Sequence, residues 1–246
     1  MKQFLLILAA VAAAIGFRIA NTFAADATAA AEVNSAYVWR GLTFNDGLVV
    51  QPSVGVAQGG FGVNVWGNLD VDDFDGALET GEFSEIDLTL SYGFKIKSVS
   101  INLGYIEYLF PYRETSATVA GTRELYAGLG IEPIDGLTTG LTGYWDFDEV
   151  RGYYLNLNIG YSRELVEKLT AAVGASAGYA AENFAMAYGG TESGLYDYNF
   201  SLVCTYAVLE SLSISAKIAY TNMFDTDVLP DQKVNTYGGL GLSYAF

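Results

Sequence analysis

The residues that could do chemistry in this sequence are almost all carboxylates. The 246-residue chain has 28 Asp and Glu against 12 Lys and Arg, no histidine, and one cysteine, Cys204. Without histidine, neither a Ser-His-Asp or Cys-His nucleophile nor a histidine-based metal site can form. One cysteine cannot form an intramolecular disulfide, and the carboxylates show no convergent arrangement around a nucleophile. We therefore predict that the chain is not an enzyme and has no catalytic residues, cofactor or metal site.

Large apolar residues and small polar residues alternate along most of the chain. In the segment 152–162, GYYLNLNIGYS, every second residue from Tyr153 to Tyr161 is large and apolar. A period of two indicates a β-strand with one apolar face. About twelve such segments of roughly 10–14 residues follow one another, which is the length of tilted membrane strands. The first is predicted at 33–44 and the last at 234–246.

A soluble β-sandwich also alternates, so other features must separate the two folds. Charged residues make up only 16% of the chain and aromatic residues 14%, and the polar faces are mostly Gly, Ser, Thr and Asn. Short connections such as AQGG alternate with long ones such as DDFDGALETGEF, as in outer-membrane barrels. An open sheet edge would leave backbone groups unpaired in hydrocarbon, so the sheet must close.

The fold predicted from these features is all-β. Residues 25–246 are expected to form a closed antiparallel transmembrane β-barrel of about 12 strands. A soluble sandwich or a lipocalin-like barrel is the alternative. Such a barrel belongs in the outer membrane of a bacterial cell, in contact with outer-membrane lipid and lipopolysaccharide.

Residues 1–24 have the organisation of a cleavable signal peptide. Lys2 precedes the apolar run FLLILAAVAAAIG, and the small residues of NTFAA follow it. This order predicts secretion and cleavage after Ala24. An uncleaved membrane anchor is the alternative, although the apolar run is short for a membrane span.

The last strand ends on GLGLSYAF, in which every second residue is large and apolar. We predict that these residues face lipid and form the assembly signal for the barrel-assembly machinery, with periplasmic chaperones as earlier partners: Leu240, Leu242, Tyr244 and Phe246. The formal net charge of −16 excludes nucleic acid as a partner held by counterion release.

Ionisable residues at inward positions are concentrated near the long-loop ends of the strands. We predict that the following line the pore and set its selectivity: Arg40, Asp70, Glu85, Asp87, Glu124, Asp146, Asp148, Asp197 and Lys217. Arg40 is the expected counter-charge for Glu85 and Asp87. An acidic mouth attracts cations, which predicts weak cation selectivity. Two alternatives remain: the carboxylates serve solubility or bridge lipopolysaccharide through divalent ions, and Arg40 is a structural brace.

The segment NSAYVWRGLTFNDG at 34–47 resembles the opening of the TorF-type porin family of bacterial outer-membrane β-barrel proteins. The residues that carry the resemblance are Ser35, Tyr37, Arg40, Gly41, Asp46 and Gly47, and the stretches SEIDL, GYIEYLFP and ELYAGL add to it. The resemblance implies an outer-membrane pore without an established substrate. We expect a passive channel for small hydrophilic solutes. A non-conducting barrel that acts as a structural or adhesion protein through its long loops is the alternative.

Overall fold

The computed structural model describes residues 25–72, 81–111 and 121–246. The predicted signal peptide, residues 1–24, lies outside the described residues. Within the described part of the chain the elements, in order, are β1 (Asp26–Asn34), β2 (Tyr37–Trp39), β3 (Leu42–Asn45), β4 (Val49–Gln58), β5 (Phe61–Asp70), β6 (Glu82–Ile96), β7 (Val99–Leu109), β8 (Gly121–Ile134), β9 (Leu137–Asp146), β10 (Tyr153–Val166), β11 (Leu169–Ala180), α1 (Glu182–Ala187), β12 (Gly194–Ala207), β13 (Leu212–Met223) and β14 (Thr236–Ala245).

Twelve of the described strands close into one antiparallel barrel, and β2 and β3 form a separate two-stranded sheet. Each barrel strand pairs with its neighbours in the chain, and β1 completes the ring by pairing with β14 on one side and β4 on the other. Closure gives the backbone N–H and C=O groups of the first and last strands hydrogen-bond partners, which the hydrocarbon of a membrane cannot provide. The predicted fold class and the predicted pairing of the first strand with the last are confirmed.

The first barrel strand lies earlier than the sequence pattern predicts. β1 ends at Asn34, and residues 35–48 form a hairpin instead of completing the predicted strand 33–44. The pattern is misleading because β1 is rich in alanine, so its two faces differ little in size. Tyr37 and Trp39 alternate more clearly, although they belong to the hairpin.

The apolar faces of the strands point outward. Leu155, Leu157, Ile214 and Leu242 are 37%, 57%, 46% and 51% exposed. A contiguous apolar surface of this extent is unfavourable in water and marks a membrane interface. Leu240, Tyr244 and Phe246 share this exposed face. Their role as an assembly signal stays a prediction.

The two ends of the barrel differ in their connections. At one end, here called the short-turn end, strands are joined by tight turns such as Gly59–Gly60, both with positive φ (59° and 90°). At the other end, the long-loop end, the connections include residues 35–48, 181–193 and 224–235. The predicted asymmetry of short turns and long loops is therefore present. Among the described residues, no helix has the length and apolar character needed to cross a membrane.

Candidate functional site

Residues 35–48, here called the lumenal hairpin, fold into the barrel at the long-loop end. Strands β2 and β3 are joined by Arg40 and Gly41, which have φ of 48° and 80°. Positive φ at both central residues is typical of the two-residue turns that match the twist of a hairpin. A Cβ on Gly41 would lie 2.7 Å from Cβ of Asp197 and 2.9 Å from Cδ2 of Leu229. The tip of the hairpin therefore packs against the opposite wall, where only glycine fits.

An apolar cluster surrounds the hairpin and fills the long-loop end of the lumen. It combines Leu42 of the hairpin with wall residues, Phe184 of α1 and the loop residues Val228 and Leu229. Trp39 packs on Phe184 and Tyr188, with ring centroids 6.1 Å and 5.7 Å away. Burial of such aromatic side chains is strongly favourable. The hairpin is thus held by a small hydrophobic core inside the barrel.

Arg40 occupies a site that we call the Arg40 cage. Its two terminal nitrogens each donate a hydrogen bond of 2.7 Å to one carboxylate oxygen of Glu124, and the hydroxyl of Tyr108 donates to Oε2 of Glu124 at 2.8 Å. The guanidinium carbon also lies 4.1–5.4 Å from four aromatic ring centroids. Those rings belong to Trp39, Tyr144, Tyr154 and Phe184.

The electrostatics of the cage keep Arg40 charged. Burial disfavours the cation, but the Glu124 carboxylate outweighs this effect, so the pKa of Arg40 lies above its ordinary value. The side chains of Arg40 and Glu124 are only 9% and 2% exposed. The prediction that Arg40 pairs with Glu85 and Asp87 is wrong, because Glu124 takes both guanidinium nitrogens.

Glu85 and Asp70 bind the two sides of the hairpin. The hydroxyl of Tyr37 donates to Oε2 of Glu85 at 2.8 Å, and the side-chain amide of Asn45 donates to Asp70. Burial, followed by the charges of Glu85 and Asp87, raises the pKa of the Tyr37 phenol, so this hydroxyl remains a donor. Both carboxylates face the lumen as predicted, but they are hydrogen-bonded to the hairpin.

Asp146 stabilises a turn at the rim. It accepts hydrogen bonds from the Thr122 hydroxyl at 2.6 Å and from the backbone N–H of Asp148 and Val150 at 3.0 Å and 3.1 Å. The buried Asp146 side chain thus organises the connection between β9 and β10.

Asp148 lies outside the lumen. It forms an ion pair at 2.9 Å with Arg123, which also pairs with Glu107 at 3.2 Å. Arg123 projects outward, because the neighbouring Glu124 and Thr122 are buried inward positions and strand residues alternate. The prediction that Asp148 lines the pore is therefore wrong. The error arises because the turn after Asp146 ends the alternation two residues earlier than the sequence suggests.

A cavity of about 450 Å³, here called the lumenal cavity, lies next to the Arg40 cage. Its lining includes Arg40, Asp87, Asn156 and Asp197. Asp197 accepts hydrogen bonds from the Tyr154 hydroxyl at 2.7 Å and the Asn199 amide at 2.6 Å. The cavity combines aromatic walls with carboxylates and amides, which suits a small polar ligand.

Lys217 faces a second cavity of about 240 Å³, which it shares with Asp87. Its ammonium lies 3.3 Å from Oε2 of Glu32. Both side chains are partly exposed, so their charges are screened. Lys217 therefore faces the lumen as predicted, with Glu32 as a counter-charge that the sequence pattern did not identify.

Glycine and serine residues face each other at several places on the rest of the described lumen wall. A Cβ on Gly62 or Gly241 would meet the hydroxyl of Ser91 or Ser215 at 2.5 Å. A Cβ on Gly104 would overlap the ring of Tyr126, which lies across the Gly104 backbone at mid-strand. The short-turn half of the lumen is therefore lined by small and polar groups. In residues 25–72, 81–111 and 121–246, no group of three or more His, Cys, Asp or Glu is placed to hold a metal ion.

The aromatic residues of the cage were not all found by sequence reasoning. The period of two places Tyr144 and Tyr154 inward, and it also places Tyr108 inward, opposite Asp87. Phe184 lies in a connection between strands, where no such pattern applies. A usable signal was present in YVWRGLTF, since an Arg-Gly pair between two short aromatic segments is compatible with a tight hairpin. If the Arg40-Gly41 pair is interpreted as a turn, Arg40 lies at the tip of a hairpin.

The apolar exterior, polar interior, tight turns and long loops together define a transmembrane β-barrel of the outer-membrane type. Residues 20–187 match the family described as "Bacterial protein of unknown function (Gcw_chp)". The match covers more than half of the chain, so the chain belongs to this family. A search of curated protein sequences finds no match.

Three solved structures illustrate the shared fold. The KdgM porin in complex with disordered oligogalacturonate has a TM-score of 0.56 at 14% identity, covering 90% of this chain and 99% of that chain. The NanC porin has a TM-score of 0.52 at 10% identity, covering 90% and 98%. An outer membrane channel from Pseudomonas putida F1 has a TM-score of 0.50 at 9% identity, covering 92% and 96%. At such identities the similarity concerns the fold, and it agrees with the predicted outer-membrane location.

Proposed function

We propose that this chain is a passive outer-membrane channel for small hydrophilic solutes. One observation carries the proposal: the closed barrel presents apolar side chains to its exterior and small polar groups to its lumen. A polar lumen is the interior that a water-filled channel requires. The TorF-type resemblance of residues 34–47 supports the same proposal.

The proposed path is narrow at the long-loop end. The lumenal hairpin and the apolar cluster occupy that end, and the lumenal cavity lies beside them. Solute size would therefore be limited by the hairpin rather than by the twelve-stranded wall. We propose a channel for small solutes and not a wide general porin.

We further propose that the channel favours cations and neutral solutes. Arg40 is already paired with Glu124, whereas the lumenal cavity also contains Asp87 and Asp197. A surplus of carboxylates raises the local concentration of cations and lowers that of anions.

Reconstitution into planar bilayers tests the proposal. The wild-type barrel is expected to conduct, with reversal potentials in a salt gradient that show cation preference. Anion preference would overturn the selectivity proposal. The absence of conductance from the wild type would overturn the channel proposal.

The alternative is a non-conducting barrel that acts as a structural or adhesion protein. The filled long-loop end favours it, because the hairpin, α1 and the loop around Leu229 pack together there. A variant that lacks residues 37–46 separates the two functions. If the wild type is silent and only the deletion conducts, the native barrel is closed and the adhesion role is preferred.

A further inference from the structure

Most of the groups that surround Arg40 in the cage project from barrel strands. Glu124 and Tyr108 project from β8 and β7, Tyr144 and Tyr154 from β9 and β10, and Phe184 from α1. The four strands are paired in sequence order, with Tyr144 directly opposite Tyr154. Of the described groups that contact the guanidinium, only the neighbouring Trp39 also belongs to the hairpin. The site would therefore persist if the hairpin moved away.

The geometry of the cage specifies a guanidinium group. Both oxygens of Glu124 accept from the two terminal nitrogens at 2.7 Å, which is the bidentate arrangement that a planar guanidinium forms with a carboxylate. An ammonium is a point charge and cannot reproduce that fork. Aromatic faces on several sides favour a flat, weakly hydrated cation. Urea has the same shape but lacks the charge.

We propose that the Arg40 cage is a binding site for guanidinium-bearing solutes, and that the hairpin's own Arg40 occupies it until such a solute takes its place. The hairpin is then a tethered competitor. β2 and β3 pair with each other and belong to no barrel sheet, so their release breaks no barrel strand pairing.

Competition has a clear physical basis. If the hairpin withdrew alone, the buried Glu124 would lose its counter-charge, which is strongly unfavourable. A solute guanidinium that binds Glu124 removes this electrostatic cost and so shifts the equilibrium toward the withdrawn hairpin. The packing of Leu42 and the hydrogen bonds of Tyr37 and Asn45 oppose the withdrawal. The lumenal cavity borders Arg40 and is also lined by Asp87 and Asp197, so a solute in this cavity lies next to the cage. The binding site stands on this geometry alone, whereas channel opening by the solute rests on the proposed function.

The binding site is tested first, with the full barrel refolded in detergent. R40A empties the cage, and R40A/E124Q also removes the carboxylate charge. Methylguanidinium is expected to raise the melting temperature of R40A, with an apparent affinity at least about tenfold higher than for R40A/E124Q. Urea at the same concentration should have no such effect. R123A removes an arginine on the outer surface and controls for non-specific stabilisation. Methylguanidinium should change the melting temperature of R123A by the same amount as that of the wild type.

Equal stabilisation of R40A and R40A/E124Q by methylguanidinium would overturn the binding site. R40K provides a second background in case R40A does not fold. Lysine keeps the positive charge beside Glu124 but cannot form the bidentate pair of hydrogen bonds. Methylguanidinium should then stabilise R40K more than R40K/E124Q, and equality would again overturn the site.

Channel opening is tested separately by conductance. Millimolar methylguanidinium is expected to increase the current through the wild type and R123A beyond that in equimolar sodium chloride, but not through E124Q. Binding without any conductance overturns the channel function and leaves the site intact. Conductance that responds equally in the wild type and E124Q overturns the competition mechanism.

Discussion

The long-loop half and the short-turn half of the lumen are enclosed by the same twelve strands but differ in what fills them. The long-loop half contains the hairpin, a buried ion pair and an aromatic cluster. The short-turn half presents glycine, serine and asparagine. Strand alternation is the same in both halves. The difference shows that the inserted hairpin and the inward residues that bind it, rather than the strand architecture, determine which half of the lumen is filled.

Removal of the hairpin is the strongest test of this difference. Asn34 at the end of β1 and Val49 at the start of β4 are paired with each other. Deletion of residues 37–46 leaves the four residues Ser35, Ala36, Gly47 and Leu48 to connect them. Because the apolar cluster loses its centre and Glu124 its counter-charge, we expect a severalfold larger single-channel conductance and stronger cation preference.

Gly41→Val should produce the same change without shortening the chain. Valine is strained at a φ of 80°, and its Cβ would lie 2.7 Å from Cβ of Asp197. If both variants conducted as the wild type does, the hairpin would not be the constriction.

The buried ion pair of the long-loop half should be far more sensitive than the exposed pair closer to the middle of the lumen. E124Q leaves Arg40 buried without a counter-charge, and breaking such a pair costs about 3–5 kcal/mol. K217M breaks the partly exposed contact with Glu32 at 3.3 Å, which is worth less than about 1 kcal/mol. Denaturant unfolding of the refolded barrels measures both. Equal losses in the free energy of unfolding would mean that the burial of the Arg40–Glu124 pair does not make it more important for stability than the Lys217–Glu32 pair.

Crowding at mid-strand should have a smaller effect. Gly104→Ala places a methyl group against the ring of Tyr126, which must rotate away from the wall. Since Tyr126 faces the lumen and its ring can turn about rotatable bonds, we expect a cost below roughly 1.5 kcal/mol and a modest fall in conductance. Gly130→Ala is the matched control, because its Cβ would meet only the carbonyl of Thr139 at 3.8 Å. Identical conductance in the two variants would show that Tyr126 does not narrow the path.

The sequence was sufficient for the barrel because its wall obeys a local rule. Outward residues such as Leu157 and inward residues such as Asn158 follow from the period of two, and closure follows from the cost of an unpaired edge in lipid. Inward orientation of Glu85, Glu124 and Asp197 came from the same rule. These features require no knowledge of which distant residues meet.

The sequence was not sufficient for the hairpin because its position depends on contacts across the lumen. Arg40 and Glu124 are 84 residues apart, and alternation states only that each faces inward. Glu85 and Glu124 both face inward and could each pair with Arg40. Which of them does so depends on how far the turn at Arg40 and Gly41 extends across the lumen. Alternation also fails where a strand ends, so it predicts the wrong side of the wall for Asp148.

The smallest effect is expected at Asp148, and it separates the lumen from the outer rim. Asp148→Asn and Asp197→Asn remove the same charge, but Asp148 pairs with Arg123 on the outer surface whereas Asp197 lines the lumenal cavity. Exposed ion pairs contribute little to stability and are screened by salt. We therefore expect reversal potentials of Asp148→Asn to match the wild type, while those of Asp197→Asn shift toward lower cation preference. A shift for Asp148→Asn of the same size would place its carboxylate in the conducting path, because a charge outside the wall cannot select ions within it.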